Sequence, residues 1–302
     1  MIDLRVVASD ADIDVYLDVR NRVHPQTPMP REWVIEQRRK PDNLDLLAAL
    51  DGVPVGVATV SKFGGDAGGE LAYATIRVLQ ESRRHGVGSA LFAATSEHAR
   101  SLGKSVTMTV VRAEDVDSLA FYGARGFEER GRMQDVTLDL ARADVAVRAP
   151  EGIAIVPIGE EHDRGVYAVA LEAEPDIPAA TPLVPGAFEE WRARLFGDLV
   201  LRDLSFVALE EDRVVGYAIL GRHTPDTADH WMTGVARSAR GRGVASALKR
   251  AQIAAARKAG WSFLHTQNDL GNAAMRAVNE KLGYERRFEW VHLVGPLAPL
   301  RR

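Results

Sequence analysis

One register occurs twice in this chain. Arg83 heads RRHGVGSAL (83–91) and Arg240 heads RGRGVASAL (240–248), an offset of 157 residues (240 − 83). The same offset carries Gly103 onto Gly260, Thr109 onto Thr266, and the Gly126–Phe127 pair onto Gly283–Tyr284. Unrelated turns do not hold one register over such a span without a gap, so the chain reads as two copies of one domain. Its 302 residues leave room for about two domains of ordinary size.

The join lies between the copies. DVTLDL (135–140) reads as a closing strand, ARADVAVRAPEG follows as a linker, and IAIVPIG (153–159) opens a new strand. The expected domains are 1–145 and 151–302. Ile2 would correspond to Ile153, so the second copy has gained a few residues ahead of its loop. The gain falls in EPDIPAATPLVPG (174–186), whose prolines forbid a continuous helix.

Each copy has the same coarse order. A short strand precedes a helical region (10–40; 160–197), then a two-strand hairpin (44–60; 204–220) and a third strand (70–78; about 229–235). The glycine loop follows, then a long helix (87–101; 244–259), a strand (106–111; 262–267), a second helix (115–125; 272–282) and a last strand. Helices of that length among strands make each domain mixed α/β.

Composition narrows the class. The formal net charge is −4 and there is no cysteine. The charge offers no broad nucleic-acid surface. Without cysteine there are no disulfides, thiolate metal sites or cysteine acyl-enzyme. The N-terminus is acidic where a signal peptide is basic, and no apolar run is long enough to span a membrane, so a cytoplasmic protein is expected.

A strand, a loop with glycines and arginines, and an immediate helix make an anion site. The first helical turn has N–H groups without intrahelical partners at the positive end of the dipole. Glycine lets the backbone approach a ligand, and arginine adds forked donors for phosphate oxygens. A plain strand-to-helix turn also favours glycine, and one such loop alone leaves both readings open. There is no GxxxxGK[ST] and no full GxGxxG, which sets aside the P-loop and the dinucleotide fingerprint.

RRHGVG (83–88) and RGRGVA (240–245) resemble the acetyl-CoA loop of the GNAT superfamily of N-acetyltransferases, R-x-x-G-x-G/A. Val78 and Val235 stand five residues ahead of the arginines, as that pattern has it. DVDSLAFYGARGF (115–127) is similar to the family's second cofactor segment, N-x-x-A-x-x-x-Y-x-x-x-G-F, and NAAMRAVNEKLGY (272–284) resembles a variant of it. The resemblance spans nearly the whole chain. It implies two tandem GNAT-like domains, each a mixed, mostly antiparallel sheet flanked by helices, with acetyl-CoA as cofactor and no metal.

The resemblance assigns the pyrophosphate to Arg83, Arg84, His85, Gly86, Val87, Gly88 and Ser89 in the first copy. In the second it assigns Arg240, Gly241, Arg242, Gly243, Val244, Ala245 and Ser246. The backbone of Val78 and Val235 would hold the thioester carbonyl, and Asn272 would contact the cofactor. Tyr122 stands where the family places the tyrosine that protonates the leaving thiolate, a role its ordinary pKa near 10 allows. As an aromatic on an amphipathic helix it reads equally as core. Asn279 holds the equivalent place in the second copy, where it can hydrogen-bond the sulfur region of the cofactor but cannot act as an acid. Asp115 replaces the family's asparagine in the first copy and reads also as a helix cap.

Strand parity suggests the base. On the face of Val78 lie Ile76, Ala74, Ala72 and Glu70; on that of Val235 lie Thr233, Trp231 and Asp229. Glu70 and Asp229 are the candidates, or else solvated charges at hairpin ends, since GGDAGG (64–69) and TPDTAD (224–229) read as turns. His230 falls on the opposite face. The other histidines form no metal spacing. His24 lies beside prolines, at a substrate entrance or in a plain loop. Trp33, Trp191 and Trp231 either shape acceptor pockets or pack in cores.

The expected activity is acetyl transfer to a primary amine of a small molecule or peptide, by direct attack. The rival is an acyl-CoA-binding, sensing or scaffold protein in which one or both domains do not catalyse. No nucleic-acid or membrane partner is expected. The two copies would form a monomeric pseudo-dimer, or the chain a homodimer.

Overall fold

A computed structural model describes residues 1–62, 69–178 and 183–300. The expected turn at GGDAGG and the stretch 179–182 of the proline-rich insertion lie largely outside the described residues. Two compact units form: residues 1–130 with 291–302, and residues 131–290.

The first unit holds strands β1 (Ile2–Val6), β2 (Leu44–Leu50), β3 (Val53–Lys62), β4 (Leu71–Val78) and β5 (Val106–Arg112), and helices α1 (Asp10–Val23), α2 (Arg31–Arg38), α3 (Val87–Ser101) and α4 (Val116–Gly123). Local chemistry sets these elements. Ser9 and Asp12 close a capping box at the start of α1. Asp51 and Gly52, both at positive φ, make the tight turn between β2 and β3. Neighbouring strands β1 to β4 pair antiparallel, and β4 pairs with β5 in parallel.

The second unit repeats the plan with β7 (Ile153–Pro157), α5 (Asp163–Ala173), α6 (Phe188–Leu195), β8 (Phe206–Glu210), β9 (Arg213–Arg222), β10 (Thr227–Val235), α7 (Val244–Lys258), β11 (Phe263–Asp269) and α8 (Ala273–Lys281). Both hairpins carry a register shift at the same place, between Ala48 and Ala49 and between Ala208 and Leu209. Each also has a glycine where a helix crosses the sheet. A Cβ on Gly56 would stand 2.9 Å from Val87 Cγ1, and one on Gly216 3.0 Å from Val244 Cγ1. These glycines let the first turn of α3 or α7 sit on the hairpin.

The closing strands β6 (Glu128–Asp139) and β12 (Glu285–Pro296) are exchanged. Met133–Asp139 of β6 pair antiparallel with β11, and Val136, Leu138 and Leu140 pack with Ile253 and Leu264 in the second unit. In return, the end of β12 follows β5 in the first unit. There Val291 and Leu293 pack with Phe92, Tyr122 and Phe127. Ser96 Oγ accepts a hydrogen bond from Ala298 N at 2.9 Å. Each unit's core is therefore completed by the end of the other repeat. Among the described residues, no helix is long and apolar enough to cross a membrane.

Candidate active sites

The same cleft is built in both units. Strand β4 pairs with β5 at only three rungs, Leu71–Val106, Ala72–Thr107 and Tyr73–Met108. Strand β10 pairs with β11 at three, ending at Asp229–His265. Beyond these rungs the parallel strands part. Leu79 N donates to Val55 O, and Ala236 N to Val215 O, both at 2.9 Å. Donors alternate sides along an antiparallel ladder, so the amides of Val78 and Val235 point away from the hairpin and into the gap.

A single 3-10 turn follows each strand, and then the glycine loop. Gly86 and Gly243 take left-handed φ of 87° and 86° and cap α3 and α7 with no side-chain hydrogen bond. Intrahelical bonding begins at Ala90 N to Gly86 O and Ala247 N to Gly243 O. The amides of Val87, Gly88 and Ser89, and of Val244, Ala245 and Ser246, have no partner within the helix. Arg84 adopts φ of 66° where the second copy has Gly241 at 74°.

The arginines are held differently. Arg83 donates two 2.8 Å bonds to the Asp115 carboxylate and a weak 3.5 Å bond to Val78 O. Asp115 also caps α4, accepting from Ser118 N at 3.1 Å. Burial raises the Asp115 pKa, but the hydrogen bonds of Arg83 and Ser118 outweigh it and hold the carboxyl below its usual value. Asn272 caps α8 in the same way, accepting from Met275 N. Arg240 instead donates to Val235 O at 3.1 Å and, with Arg237, to Asp176, while Arg242 donates to Glu210. His85 Nδ1 lies 2.8 Å from Arg83 O. A cavity of about 400 Å³ opens beside the first loop, between His24, Gln80, Arg83, Arg112 and Asp115.

One residue at the first loop was not foreseen. Arg125 donates to Ser89 Oγ at 2.9 Å and lies 3.5 Å from the Phe121 ring centroid. It adds a cation beside the free amides of α3. Its only sequence signal is its place just before Gly126–Phe127, where the second copy has Leu282.

Tyr122 is buried among Phe92, Phe121 and Phe127, and its hydroxyl faces Thr109 Oγ1 of β5 at 3.5 Å. Burial raises its pKa, so it stays protonated. The polar side chains of β4 lie on the face toward α1. There Arg77 donates to Thr75 Oγ1 at 2.7 Å, and Tyr16 OH contacts Thr59 Oγ1 at 2.6 Å. Arg20 of α1 is buried with no hydrogen bond to its Nε, and burial lowers its pKa to about 9. Burial and the neighbouring Arg77 keep His24 neutral, with a pKa lowered to about 3.

Glu70 is exposed at the foot of β4, its carbonyl accepting from Ser105 N and Val106 N. It stands eight residues before Val78, roughly 26 Å along an extended strand. That places it below the closed end of the gap and away from the loop.

Strand parity fails in the second unit. The β9–β10 register shifts between His230 and Met232, which leaves Trp231 as an extra residue. His230 therefore shares the α7 face with Thr233 and Val235, and Asp229 points to the α5 face, the reverse of the sequence expectation. His230 Nε2 contacts Tyr284 OH, and burial holds the imidazole neutral. Lys249 of α7 is wholly buried 5.1 Å from the Tyr284 ring, and burial lowers its ammonium to about 7. The side-chain amide of Asn279 donates to Asn268, and its own oxygen is buried without a partner.

Asp229 contacts His265 Nδ1 with one oxygen and His223 Nδ1 at 3.1 Å with the other. Burial raises its pKa, but the histidines outweigh this and hold it well below the usual carboxylate range. His265 Nε2 bonds Asp135 Oδ2 at 2.7 Å. Burial would lower this imidazole, yet the two carboxylates push it up to about 10. The histidines form no metal spacing along the sequence, but His223 and His265 come together with Asp229 in space. His223, just past β9, and His265 of β11 are far apart in sequence and meet across β10, their ring centroids 5.2 Å apart. Trp191 is a core residue, 1% exposed, donating to Glu174 Oε1.

Two parting strands, each followed by a glycine loop and an uncapped helix, define an acetyltransferase architecture. The chain belongs to the GNAT acetyltransferase family, which it matches over residues 13–127 and 168–284. No curated protein matches the sequence. A GCN5-related N-acetyltransferase from Sphaerobacter thermophilus is similar over 99% of this chain and 96% of its own, with TM-score 0.81 and 18% identity. A tandem GNAT protein from the clavulanic acid biosynthesis pathway is similar over the full length of both chains, at TM-score 0.77 and 21% identity. The glucosamine N-acetyltransferase region of a fungal multi-domain GH3 β-N-acetylglucosaminidase covers 97% of this chain, and 38% of its own chain is matched, at TM-score 0.77 and 16% identity.

Proposed function

We propose that the chain is an acetyl-CoA-dependent N-acetyltransferase, acting on a primary amine of a small molecule or peptide by direct attack. The observation that carries this reading is the doubled site: a helix N-terminus without a side-chain cap, at the end of a strand whose amide faces an open gap. Such amides favour a pyrophosphate. Acetyl-CoA would supply the activated acyl group. The amides of residues 87–89 and 244–246 would hold its phosphates, with Arg125 adding a cation in the first unit. Val78 N–H and Val235 N–H are aimed to polarise a carbonyl in the gap. Tyr122, kept protonated by burial, is the proton donor of the first unit. The likeness to the fungal glucosamine N-acetyltransferase region supports an amine acceptor. The absence of cysteine fits a cytoplasmic setting.

Calorimetry with acetyl-CoA on wild type, Ser89→Glu and Ser246→Glu tests the reading. Glutamate suits the first turn of a helix, so both variants should fold. It would also face the pyrophosphate with like charge. Two sites in wild type are expected, one weakened by roughly a hundredfold in each variant. CoA release with an amine panel then tests turnover. Binding without release would leave an acyl-CoA-binding protein, and no binding would end the proposal.

A further inference from the structure

The closed end of the second gap differs chemically from that of the first. The last rung of the parallel ladder is Tyr73–Met108 in the first unit and Asp229–His265 in the second. The fold therefore builds this rung without any charged group. In the second unit the rung is joined by His223, just past the end of β9, where Gly221 pairs with Asp229. One ligand atom each from His223, Asp229 and His265 lies within 4.8 Å of the others.

We propose that His223, Asp229 and His265 form a binding site for a first-row divalent cation of the zinc type. Two imidazoles and one carboxylate are the protein ligand set of an open zinc site, which leaves a fourth position for water or substrate. The donor atoms are the Nδ1 of both histidines, each already directed at the Asp229 carboxylate. Ligand bonds of about 2.0–2.2 Å need the three atoms to surround one point, and their present spacing allows that with small shifts.

The second observation is the support behind His265. Its Nε2 is 2.7 Å from Asp135 Oδ2, and Asp135 is 0% exposed. A metal-bound imidazole commonly donates its other N–H to a carboxylate; zinc would displace the Nδ1 proton that His265 shares with Asp229 and release it to solvent, while Nε2–H stays on Asp135. Asp135 comes from β6, so the exchanged strand contributes this outer partner. His223 and Asp229 have side chains 23% exposed, which gives the ion a way in. The site lies at the point where β10 and β11 part, and the proposal does not depend on acetyl transfer.

Zinc titration of the untagged chain against a chromophoric chelator, with the bound metal counted, tests the assignment. One zinc per wild-type chain is expected, unmoved by excess magnesium, which prefers oxygen ligands. His223→Ala should lose the site, and Asp135→Asn should weaken it by about tenfold or more. His98→Ala, outside the site, should bind as wild type. A zinc-dependent rise in melting temperature, absent in His223→Ala, gives a second readout that needs no turnover. The proposal is overturned if wild type binds no zinc, if magnesium displaces it, or if His223→Ala binds as tightly as wild type.

Discussion

The two units share a backbone plan and differ in what fills it. Beside α4 the first unit packs Phe92, Val111, Tyr122 and Phe127. At the offset of 157 residues (240 − 83) the second unit has Lys249, Asn268, Asn279 and Tyr284. One wall of the gap is an aromatic cluster with a single hydroxyl. The other is a buried polar set: Asn279 donates to Asn268 and Tyr284 meets His230, while Asn279 Oδ1 and His230 Nδ1 have no hydrogen-bond partner. The second unit thus keeps the glycine loop of its twin while its interior has been rebuilt with polar side chains. The loop's chemistry resides in backbone amides, which substitution leaves in place. The wall's chemistry resides in side chains and diverges freely.

The sharpest way to break this comparison is Tyr122→Phe. If the first unit performs the transfer, turnover falls about 10²–10⁴-fold while acetyl-CoA binding stays as in wild type. A variant that turns over normally moves the chemistry to the second unit. Next in size is a pair of core truncations. Leu293→Ala lies late in the second repeat but should destabilise the first unit, by about 2–5 kcal/mol. Leu138→Ala lies in the first repeat and should destabilise the second by a similar amount. Hydrogen exchange localises each loss, and the opposite assignment would contradict the exchange of closing strands.

Lys249→Met is the gentlest comparison, since Phe92 already fills that place in the first unit. Lys249 has a folded pKa of about 7 against 10.5 unperturbed. Between those values the unfolded chain binds more protons than the folded one. Stability from this group therefore rises with pH, by about 1.4 kcal/mol per unit at most, and its burial penalty is complete below 7. Denaturation at pH 7 and pH 9 should show that rise in wild type and a flatter, higher profile in the variant.

The sequence already contained the repeat, the order of elements and both loops. Arg83 and Arg240 mark the loops, and Gly86 and Gly243 mark the helix starts. These were legible because turns, caps and periodicity are local: they depend on residues a few positions apart. The same locality explains the failures. Trp231 bulges because β9 and β10 slip by one residue between them, and no count along β10 alone reveals that. Strand parity puts Asp229 on the wrong face for this reason, and it does not show that Glu70 stands exposed roughly 26 Å along the strand from Val78.

The sequence by itself determined two GNAT-type domains with their glycine loops and helix starts. Only the tertiary structure decided which strand completes which core, that Arg125 stands over the first loop, and that His223, Asp229 and His265 meet with Asp135 behind them. Those outcomes arise from pairing between segments far apart in the chain. Their energies come from burial and from hydrogen bonds across strands, quantities that no linear spacing encodes.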